Sequence, residues 1–430
     1  SVRQIATYHI VNVESFKQNL LYWASQFQQT ASYIGDTAEE NGLHMKYDML
    51  VGADSMSTLV CNADSFSSLR SFHDTKKDWI FGFLSYDLKN EVEDLQSNNT
   101  DELNLPNLYF FQPKWVFEII GNDISIHFPL DTPRKEMKLI FKEIMLTKND
   151  SNSSSAVNMN SRISKSEYIS TFNKLQEHIK RGDIYEVNFC QEYFAKSAEL
   201  NPVNTFRNLY EISNSPFSAF FRTNDFYLMS ASPERFVKKF GNTIISQPIK
   251  GTRKRGNSVE EDLKLKEELR QCPKEQSENV MIVDLVRNDL SKTAEKSSVK
   301  VEELYGIYSF TQVHQMISTI TSELRDDIHW SEVLKTTFPM GSMTGAPKIR
   351  AMQLIEEYET FKRGLYSGSV GYVTPNGDFD FNVIIRSILY NQDKKYLSFS
   401  VGSAITSLSN PENEYEECLL KAKAMHEVLR

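Results

Sequence analysis

Two strand-like runs that meet at Gly241-Asn242 constrain the fold of this chain more than any other feature. The runs DFYLMSASPERFVKKF and TIISQPIKGT flank that pair, and such a pair between two strands is typical of a β-hairpin. A two-residue turn would place Glu234 opposite Ile249, with Lys250 on the other face. One extra loop residue, or a bulge, would place Glu234 across from Lys250. If these two residues act together, we expect the turn not to be a simple two-residue one.

Other strand-like and helical runs follow one another in irregular order. The pattern Ser164-x-x-Glu167 is a capping box that opens a run of apolar residues at helical spacing. The run DIYEVNFCQEYF has period two, and the sequence slightly favours a solvated polar face over a pocket for Glu186, Asn188 and Cys190. Further predicted helices cover residues 16–27, 258–270, 274–290, 348–359 and 411–429, and predicted strands cover 108–111, 115–120, 124–128, 369–373, 379–389 and 396–401. This mixture predicts an α+β fold with a mainly antiparallel sheet.

A low-complexity stretch, KNDSNSSSAVNMNS, divides the chain. It covers residues 148–161, is rich in serine and asparagine, and is typical of a flexible connection. We therefore predict an N-terminal α+β domain over residues 1–147, a flexible linker over 148–163 and a C-terminal domain over 164–430.

The charge and the cysteines exclude several classes of function. The formal net charge is −9, which disfavours a nucleic-acid or membrane-surface role, and the basic run 250–255 is too short to change that. No apolar run approaches bilayer length, and the N-terminal residues lack a signal-peptide core. The four cysteines form no CxxC pair, which predicts a reduced, cytoplasmic setting without a zinc site or a disulfide framework.

Two pairs of glutamates have a spacing that suits cation binding. Glu275 and Glu278 lie three residues apart in one predicted helix, and Glu414 and Glu417 lie three apart in the last one. Two such helices facing each other would hold a hard cation such as Mg²⁺ through oxygen ligands. Each pair also has an ordinary explanation, because acids are favoured near a helix start and Glu417 with Lys421 would form an exposed ion pair.

Three further features are typical of anion binding. The segment FPMGSMTGAPK (338–348) joins a glycine turn to a helix start, although a purely structural turn is the simpler explanation. Arg386, within the apolar run FNVIIRSILY, needs an anionic partner from the protein or from a ligand. The run VGSAITS supplies Gly402 and neighbouring amides. A lone histidine, His314, is more often a satisfied core residue. Together these features outline a pocket for a small molecule with more than one carboxylate.

Six motifs in a fixed order connect this chain to a known family. They are PIKGTR, ENVMIVDLVRNDL, FPMGSMTGAPK, GSVGYV, FNVIIRS and NPENEYEECLLKAKAM. In this order they closely resemble the chorismate-utilising enzymes, which include anthranilate, aminodeoxychorismate, isochorismate and salicylate synthases. The resemblance is densest over 164–430, and it implies that this part is the chorismate-binding catalytic domain. It also implies the fold of that family, a large, mainly antiparallel β-sandwich with surrounding helices.

The residue after Pro248-Ile249 distinguishes members of this family. Anthranilate synthases typically carry alanine there and aminodeoxychorismate synthases carry lysine, and this chain has Lys250. The resemblance therefore implies conversion of chorismate and ammonia to 4-amino-4-deoxychorismate, in p-aminobenzoate and folate synthesis, through a covalent adduct of Lys250 at C2. The alternatives are anthranilate synthase component I and, less favoured, an inactive chorismate-binding paralogue.

The resemblance also implies roles for individual residues. Glu234 in SPERF would be the general acid, with a raised pKa, and Lys250 would be neutral because burial lowers its pKa. The Mg²⁺ ligands would be Glu278 and Glu417, with Glu275 and Glu414 beside or behind them. Substrate contacts would come from Arg386, Lys421, Tyr366, Gly402, Thr344 and His314.

Two residues depart from the family pattern. Glu186 stands where ammonia-using relatives usually carry glutamine, and if it lines the pocket it would help to deprotonate incoming ammonium. Ala404 stands where many relatives carry glycine. The chain has no glutaminase nucleophile, so the resemblance implies a separate glutamine amidotransferase subunit as the source of ammonia.

Overall fold

The computed structural model describes residues 2–35, 43–148 and 156–430, which form twenty strands and eleven helices. The strands are β1 (Arg3–His9), β2 (Gln29–Ile34), β3 (Met49–Cys61), β4 (Ile80–Leu84), β5 (Leu108–Ile120), β6 (Asp123–Pro129), β7 (Asn160–Ser161), β8 (Glu186–Ala195), β9 (Phe217–Thr223), β10 (Phe226–Ser232), β11 (Arg235–Phe240), β12 (Thr243–Gln247), β13 (Ile249–Lys254), β14 (Lys300–Ser309), β15 (Val313–Glu323), β16 (Gly345–Ala346), β17 (Ser369–Val373), β18 (Phe379–Val383), β19 (Ser387–Asn391) and β20 (Tyr396–Ile405). The helices are α1 (Val13–Ser25), α2 (Ser65–Lys76), α3 (Lys89–Val92), α4 (Arg134–Leu146), α5 (Lys165–Lys180), α6 (Pro202–Ser213), α7 (Val259–Gln271), α8 (Pro273–Ser291), α9 (Trp330–Thr337), α10 (Lys348–Tyr358) and α11 (Pro411–Val428).

The strands form one connected antiparallel sheet whose two ends come together. From one end, strands pair in the order β14, β15, β12, β11, β18, β17, β4, β5, β3, β2, β9, β10, β19, β20, β8 and β16. β13 also pairs with β15, beside β12. The two ends meet at a side-chain contact, where Nζ of Lys250 on β13 lies 2.6 Å from Oε1 of Glu186 on β8. The predicted α+β fold with a mainly antiparallel sheet is confirmed.

Two hydrophobic clusters pack the helices against this sheet. One includes Phe16 and Phe172, and the other includes Phe81 and Phe381, so both combine residues from before and after the stretch 148–163. Strands β2 and β9 also pair across that stretch. The division into domains at 148–163 stays a prediction, and residues 149–155 of the expected linker lie outside the described part of the chain.

The helices begin where capping residues and prolines predict. The Ser164 hydroxyl accepts from the Glu167 N–H and the Glu167 carboxylate accepts from the Ser164 N–H, which completes the predicted capping box of α5. Asn410 caps α11, and Pro411 occupies the first position of that helix. Throughout 2–35, 43–148 and 156–430, no helix is both long and apolar enough to span a membrane.

The hairpin differs from the expectation in its details. The turn at Gly241 has two residues, with φ of +60° at the glycine. A bulge in β11, between Arg235 and Lys238, then shifts the register by one residue. This shift moves Glu234 away from the level of Lys250, so the two are not aligned across the hairpin. The expectation that the turn would not be a simple two-residue one if they act together is not met.

The predicted strand over 379–389 is two strands. β18 ends at Val383, β19 begins at Ser387, and Arg386 between them has a left-handed φ of +49°. The break is needed because β18 pairs with β11 and β17, whereas β19 pairs with β10 and β20. Arg386 therefore lies at a crossing between two parts of the sheet and not within a strand.

Candidate active site

Lys250 enters the site from a bulge in β13. Ile249 and Thr252 pair with β15 in different registers, so Lys250 and Gly251 together oppose one residue. Gly251 has φ of +113°, a conformation that residues with side chains rarely adopt. The bulge directs the Lys250 side chain inward, where 11% of it is exposed and Nζ donates a 2.6 Å hydrogen bond to Oε1 of Glu186.

The charge of Lys250 is balanced by carboxylates. Burial is the largest single influence on the pKa of Lys250 and lowers it, but Glu186, Glu278 and Glu234 together outweigh burial, so the pKa is raised. The expected lowering of this pKa is therefore wrong. That expectation counts burial and leaves out Glu186, which lies 64 positions away in the sequence.

Glu234 lies in the short connection between β10 and β11 and is 5% exposed. Its Oε2 accepts a 2.5 Å hydrogen bond from the Ser342 hydroxyl, and its Oε1 accepts a longer one, 3.4 Å, from the Ile249 N–H. Burial raises the pKa of Glu234 to about 7, although these hydrogen bonds and Lys250 act in the opposite direction. The predicted raised pKa is confirmed. Ser342 was not predicted as a site residue, although it lies within the motif FPMGSMTGAPK.

The polar face of β8 lines the site. Glu186 is 5% exposed, and its backbone pairs with Ala346. A side chain at Gly345 would lie 2.2 Å from the Glu186 carbonyl oxygen, so glycine is needed for this approach. The Asn188 amide donates a 3.0 Å hydrogen bond to the Ser342 carbonyl, which ties β8 to the turn before β16. The slight preference of the sequence for a solvated face is therefore wrong, because β13 and this turn cover it.

A buried ion pair behind the site was not predicted from the sequence. The side chains of Arg363 and Glu359 are each 1% exposed and lie 2.7 Å apart. Arg363 also donates to the carbonyl oxygens of Met343 (2.6 Å) and Asn188 (2.9 Å), and Glu359 accepts a 2.9 Å hydrogen bond from the Cys190 N–H. The pair thus fixes β8 against the turn before β16. Its four-residue spacing is the sequence signal, but that spacing is common on exposed helices.

The structure brings three of the predicted substrate-binding residues together. The Tyr366 hydroxyl donates to Sγ of Cys190 at 3.7 Å, and a side chain at Gly402 would lie 2.7 Å from the same sulfur. Nζ of Lys421 donates a 2.9 Å hydrogen bond to the Gly402 carbonyl. Burial raises the pKa of the Cys190 thiol to about 12, so the thiol remains neutral beside these groups.

Thr344 and His314 are occupied by protein partners. The Thr344 hydroxyl donates to the Met340 carbonyl at 3.3 Å. Nδ1 of His314 lies 2.7 Å from the Ser309 hydroxyl, and Nε2 lies 2.9 Å from Oδ1 of Asp262. This is the arrangement of a satisfied core histidine. Substrate contact by either residue stays a prediction.

The Arg386 guanidinium has no hydrogen-bond or ion-pair partner among the described residues. Its side chain is accessible to solvent, yet the surrounding protein desolvates it enough to lower its pKa. A partly desolvated cation without a protein partner is suited to bind an anionic ligand.

The two glutamate pairs lie on α8 and α11, as predicted. Burial, together with repulsion from Glu417, raises the pKa of Glu414 to about 7. Burial also raises the pKa of Glu278, with further contributions from Glu186 and Glu275 against the opposing effect of Lys250. The Lys274 ammonium lowers the pKa of both Glu278 and Glu414, so the two pairs face the same lysine.

These glutamates fit a hard cation such as Mg²⁺. All four offer carboxylate oxygens, the ligands that Mg²⁺ prefers. A divalent cation would also favour the ionised forms of Glu278 and Glu414, whose pKa values burial and neighbouring carboxylates raise. No three Asp, Glu, His or Cys side chains in the described part of the chain form a metal site by themselves. Water and ligand oxygens would complete the shell, as is usual for Mg²⁺.

The family of this chain follows from a comparison with known proteins. Residues 18–427 match the family described as chorismate binding enzymes, so the match includes strands β2 to β6 as well as the part after residue 164. The chain belongs to the chorismate binding enzyme family.

Three curated relatives are similar to this chain. Aminodeoxychorismate synthase component 1 of Bacillus subtilis is 31% identical, covering 81% of this chain and 76% of the relative. Anthranilate synthase component 1 of Acetivibrio thermocellus is 33% identical, covering 80% and 73%. The chloroplastic aminodeoxychorismate synthase of Arabidopsis thaliana is 42% identical over 61% of this chain, which spans 28% of the length of that relative.

The fold also matches solved structures. Anthranilate synthase component I from Streptococcus pneumoniae superposes with a TM-score of 0.75 at 23% identity, covering 99% of this chain and 92% of that one. At this identity the likeness shows the shared fold. The predicted fold of the chorismate-utilising enzymes is confirmed.

Proposed function

We propose that the chain converts chorismate and ammonia to 4-amino-4-deoxychorismate. The observation that carries the proposal is the residue at position 250, a lysine held inside the site that also contains Glu234. A primary amine at this position supplies a nucleophile that the alanine of typical anthranilate synthases lacks. The names of the relatives from B. subtilis and A. thaliana support the same reaction.

In the proposed reaction Lys250 acts at C2 of the chorismate ring, and Glu234 acts on the hydroxyl at C4. Nζ of Lys250 attacks C2 of chorismate, the ring double bonds shift, and the C4–oxygen bond breaks. Glu234 donates its proton, so the hydroxyl leaves as water. Ammonia then attacks C4, the double bonds shift back, and the C2–Nζ bond breaks. The pKa of about 7 that burial gives to Glu234 supports its role as the proton donor.

Substrate carboxylates need cationic partners, which this site offers in two places. Mg²⁺ bound by Glu278 and Glu417, with Glu275 and Glu414 beside them, would supply positive charge for the ring carboxylate. Arg386 has no partner among the described side chains and is our candidate for a second carboxylate. The further proposed substrate contacts are Lys421, Tyr366, Gly402, Thr344 and His314.

We also propose a glutamine amidotransferase partner as the source of ammonia. The B. subtilis relative is named as component 1 of its enzyme, which supports an assembly of more than one component. The place of the reaction in p-aminobenzoate and folate synthesis and the cytoplasmic location stay predictions.

Product analysis tests the proposal. The protein is incubated with chorismate, an ammonium salt and Mg²⁺, and products are separated and followed by absorbance and by anthranilate fluorescence. We expect aminodeoxychorismate that depends on Lys250, with Lys250→Ala at least about 1,000-fold slower. Lys254→Ala, an exposed lysine on the same strand, should be unaffected. Anthranilate formed without an added lyase would contradict the proposal.

Anthranilate synthesis is the second candidate. The A. thermocellus relative favours it, with 33% identity over a similar share of the chain. The same assay separates the two reactions, because anthranilate is fluorescent and needs no attack by Lys250. An inactive paralogue is less favoured, because Glu234, Glu278 and Glu417 are all present.

A further inference from the structure

Lys250 and Glu186 form an ion pair in which neither charged group hydrogen-bonds to another side chain of the described residues. Glu186 is the hydrogen-bond partner of Lys250, and the Glu186 carboxylate accepts from no other side chain in the described part of the structure. Both side chains are largely buried, at 11% and 7% exposed. A buried ion pair is weak evidence for stability, so its placement at the proposed nucleophile calls for a chemical explanation.

Glu186 is held firmly at this position. Its backbone pairs with Ala346 of β16. The backbone of Gly345 approaches the Glu186 carbonyl so closely that a side chain at position 345 would lie 2.2 Å from it, which fixes the register of β8 against β16. On either side of Glu186, the Tyr185 N–H donates to the Ala346 carbonyl and the Asn188 N–H donates to the Thr344 carbonyl, each at 2.8 Å. These contacts fix the backbone that carries the Glu186 carboxylate, whose Oε1 lies 2.6 Å from Nζ of Lys250.

We propose that Glu186 accepts the proton that Lys250 must lose before it attacks chorismate, and returns it when the lysine is released. This inference rests on the proposed function and deepens it by naming the base of the first step. A glutamine at this position would still hold Nζ by a hydrogen bond, but it would not take a proton.

The protons balance over the cycle. One N–H bond of the Lys250 ammonium breaks and an O–H bond forms on Glu186. The neutral amine forms the C2–Nζ bond, while the O–H bond of Glu234 breaks and the C4 hydroxyl leaves as water. After ammonia has attacked C4, the C2–Nζ bond breaks with its electron pair returning to Nζ, and Glu186 gives its proton back. The new amino group at C4 ends as an ammonium, and Glu234 regains a proton from solvent.

The other carboxylates near Lys250 are less suited to this task. Both oxygens of Glu234 already accept hydrogen bonds, from Ser342 and Ile249, and its role as general acid requires it to be protonated. Glu278 influences Lys250 from beyond ion-pair distance. Glu186 alone among the described carboxylates lies within hydrogen-bond distance of Nζ.

The test measures how fast the adduct forms. Full-length protein with Mg²⁺ is mixed with chorismate in the absence of ammonia, quenched at intervals and analysed by intact-protein mass spectrometry. Wild type is compared with Glu186→Gln, with Glu186→Asp and with Glu260→Gln, an exposed control on α7. Each rate is measured at about pH 7 and at about pH 10, near the ordinary pKa of lysine. Circular dichroism verifies that each variant is folded.

We expect Glu186→Gln to form the adduct about 100-fold more slowly than wild type near pH 7. The gap should narrow toward pH 10, where solvent removes the proton, and the KM for chorismate should change little. Glu186→Asp should recover part of the rate because it keeps a carboxylate, which also keeps the test valid if the glutamine variant folds poorly.

Two results would overturn the inference while leaving the proposed function intact. One is adduct formation in Glu186→Gln as fast as or faster than in wild type near pH 7, which would make the ion pair a restraint on Lys250. The other is a defect of the same size at both pH values, which would limit Glu186 to positioning. If the wild type forms no adduct at all, the proposed covalent function fails, and this inference fails with it.

Discussion

Arg363 and Arg386 both lie near the candidate site, and they differ in how their charges are balanced. Arg363 is fully buried, paired with Glu359 and bonded to two backbone carbonyls and the Ser367 hydroxyl. Arg386 is accessible, partly desolvated and without a partner among the described residues. Protein groups balance the charge of Arg363, whereas the charge of Arg386 is available to an anionic ligand.

This difference separates residues that hold the site together from residues that are ready to bind or react. Glu234, Glu278 and Glu414 belong with Arg386, because each is a charged group whose ordinary ionisation is opposed by its surroundings. Substitutions of the satisfied groups should reduce stability, whereas substitutions of the others should spare or increase stability and alter function.

The largest expected loss of stability follows from breaking the Arg363–Glu359 ion pair. Arg363→Met should lower the free energy of unfolding by about 3–5 kcal/mol, because it leaves the Glu359 carboxylate buried without its partner. Urea denaturation followed by circular dichroism measures this loss. The control is Arg270→Met, which removes an exposed arginine and should change stability by at most about 0.5 kcal/mol. If both variants were equally stable, Arg363 would not hold the site together.

The second prediction concerns Glu234 and pH. Its pKa is raised from 4.5 to about 7 in the folded protein, so ionisation costs the fold stability as the pH rises from about 4.5 through 7. Glu234→Gln should therefore equal wild type in stability near pH 4 and exceed it by roughly 3 kcal/mol above pH 8. Thermal denaturation across this pH range is the measurement. A stability difference that does not change with pH would contradict the raised pKa.

The smallest expected effect on stability is that of replacing Arg386, the arginine without a protein partner among the described residues. Arg386→Gln should leave the free energy of unfolding within about 0.5 kcal/mol of wild type, because no protein partner is lost. It should raise the KM for chorismate by about 30-fold, the effect of losing one charged hydrogen bond to a carboxylate. Steady-state kinetics and denaturation on the same samples test both statements. A clear loss of stability would place Arg386 with Arg363.

Local sequence patterns predicted much of the fold. The capping box at Ser164 gave the start of α5, and the predicted helices at 258–270 and 411–429 agree with α7 and α11 to within one residue. These signals work because caps and prolines act on their own segment. The resemblance of the motifs likewise identified the family that the comparison confirms.

Long-range pairing explains what the sequence did not predict. The run 379–389 breaks at Arg386 because its two halves pair with different strands, and the bulge at Gly251 depends on its pairing with β15. The same holds for the pKa of Lys250, which is raised by a carboxylate from β8. The residues beside Lys250 and Arg386 in the sequence do not show which strands pair around them, so sequence reasoning could not predict their surroundings.

The measurement that tests the central claim most directly is peptide mapping after exposure of the wild-type protein to chorismate and Mg²⁺ without ammonia. The account predicts an adduct with the mass of chorismate less one water, located on Lys250 and released as product when ammonia is added. Turnover of chorismate to an aminated product with no such adduct on Lys250 would contradict it.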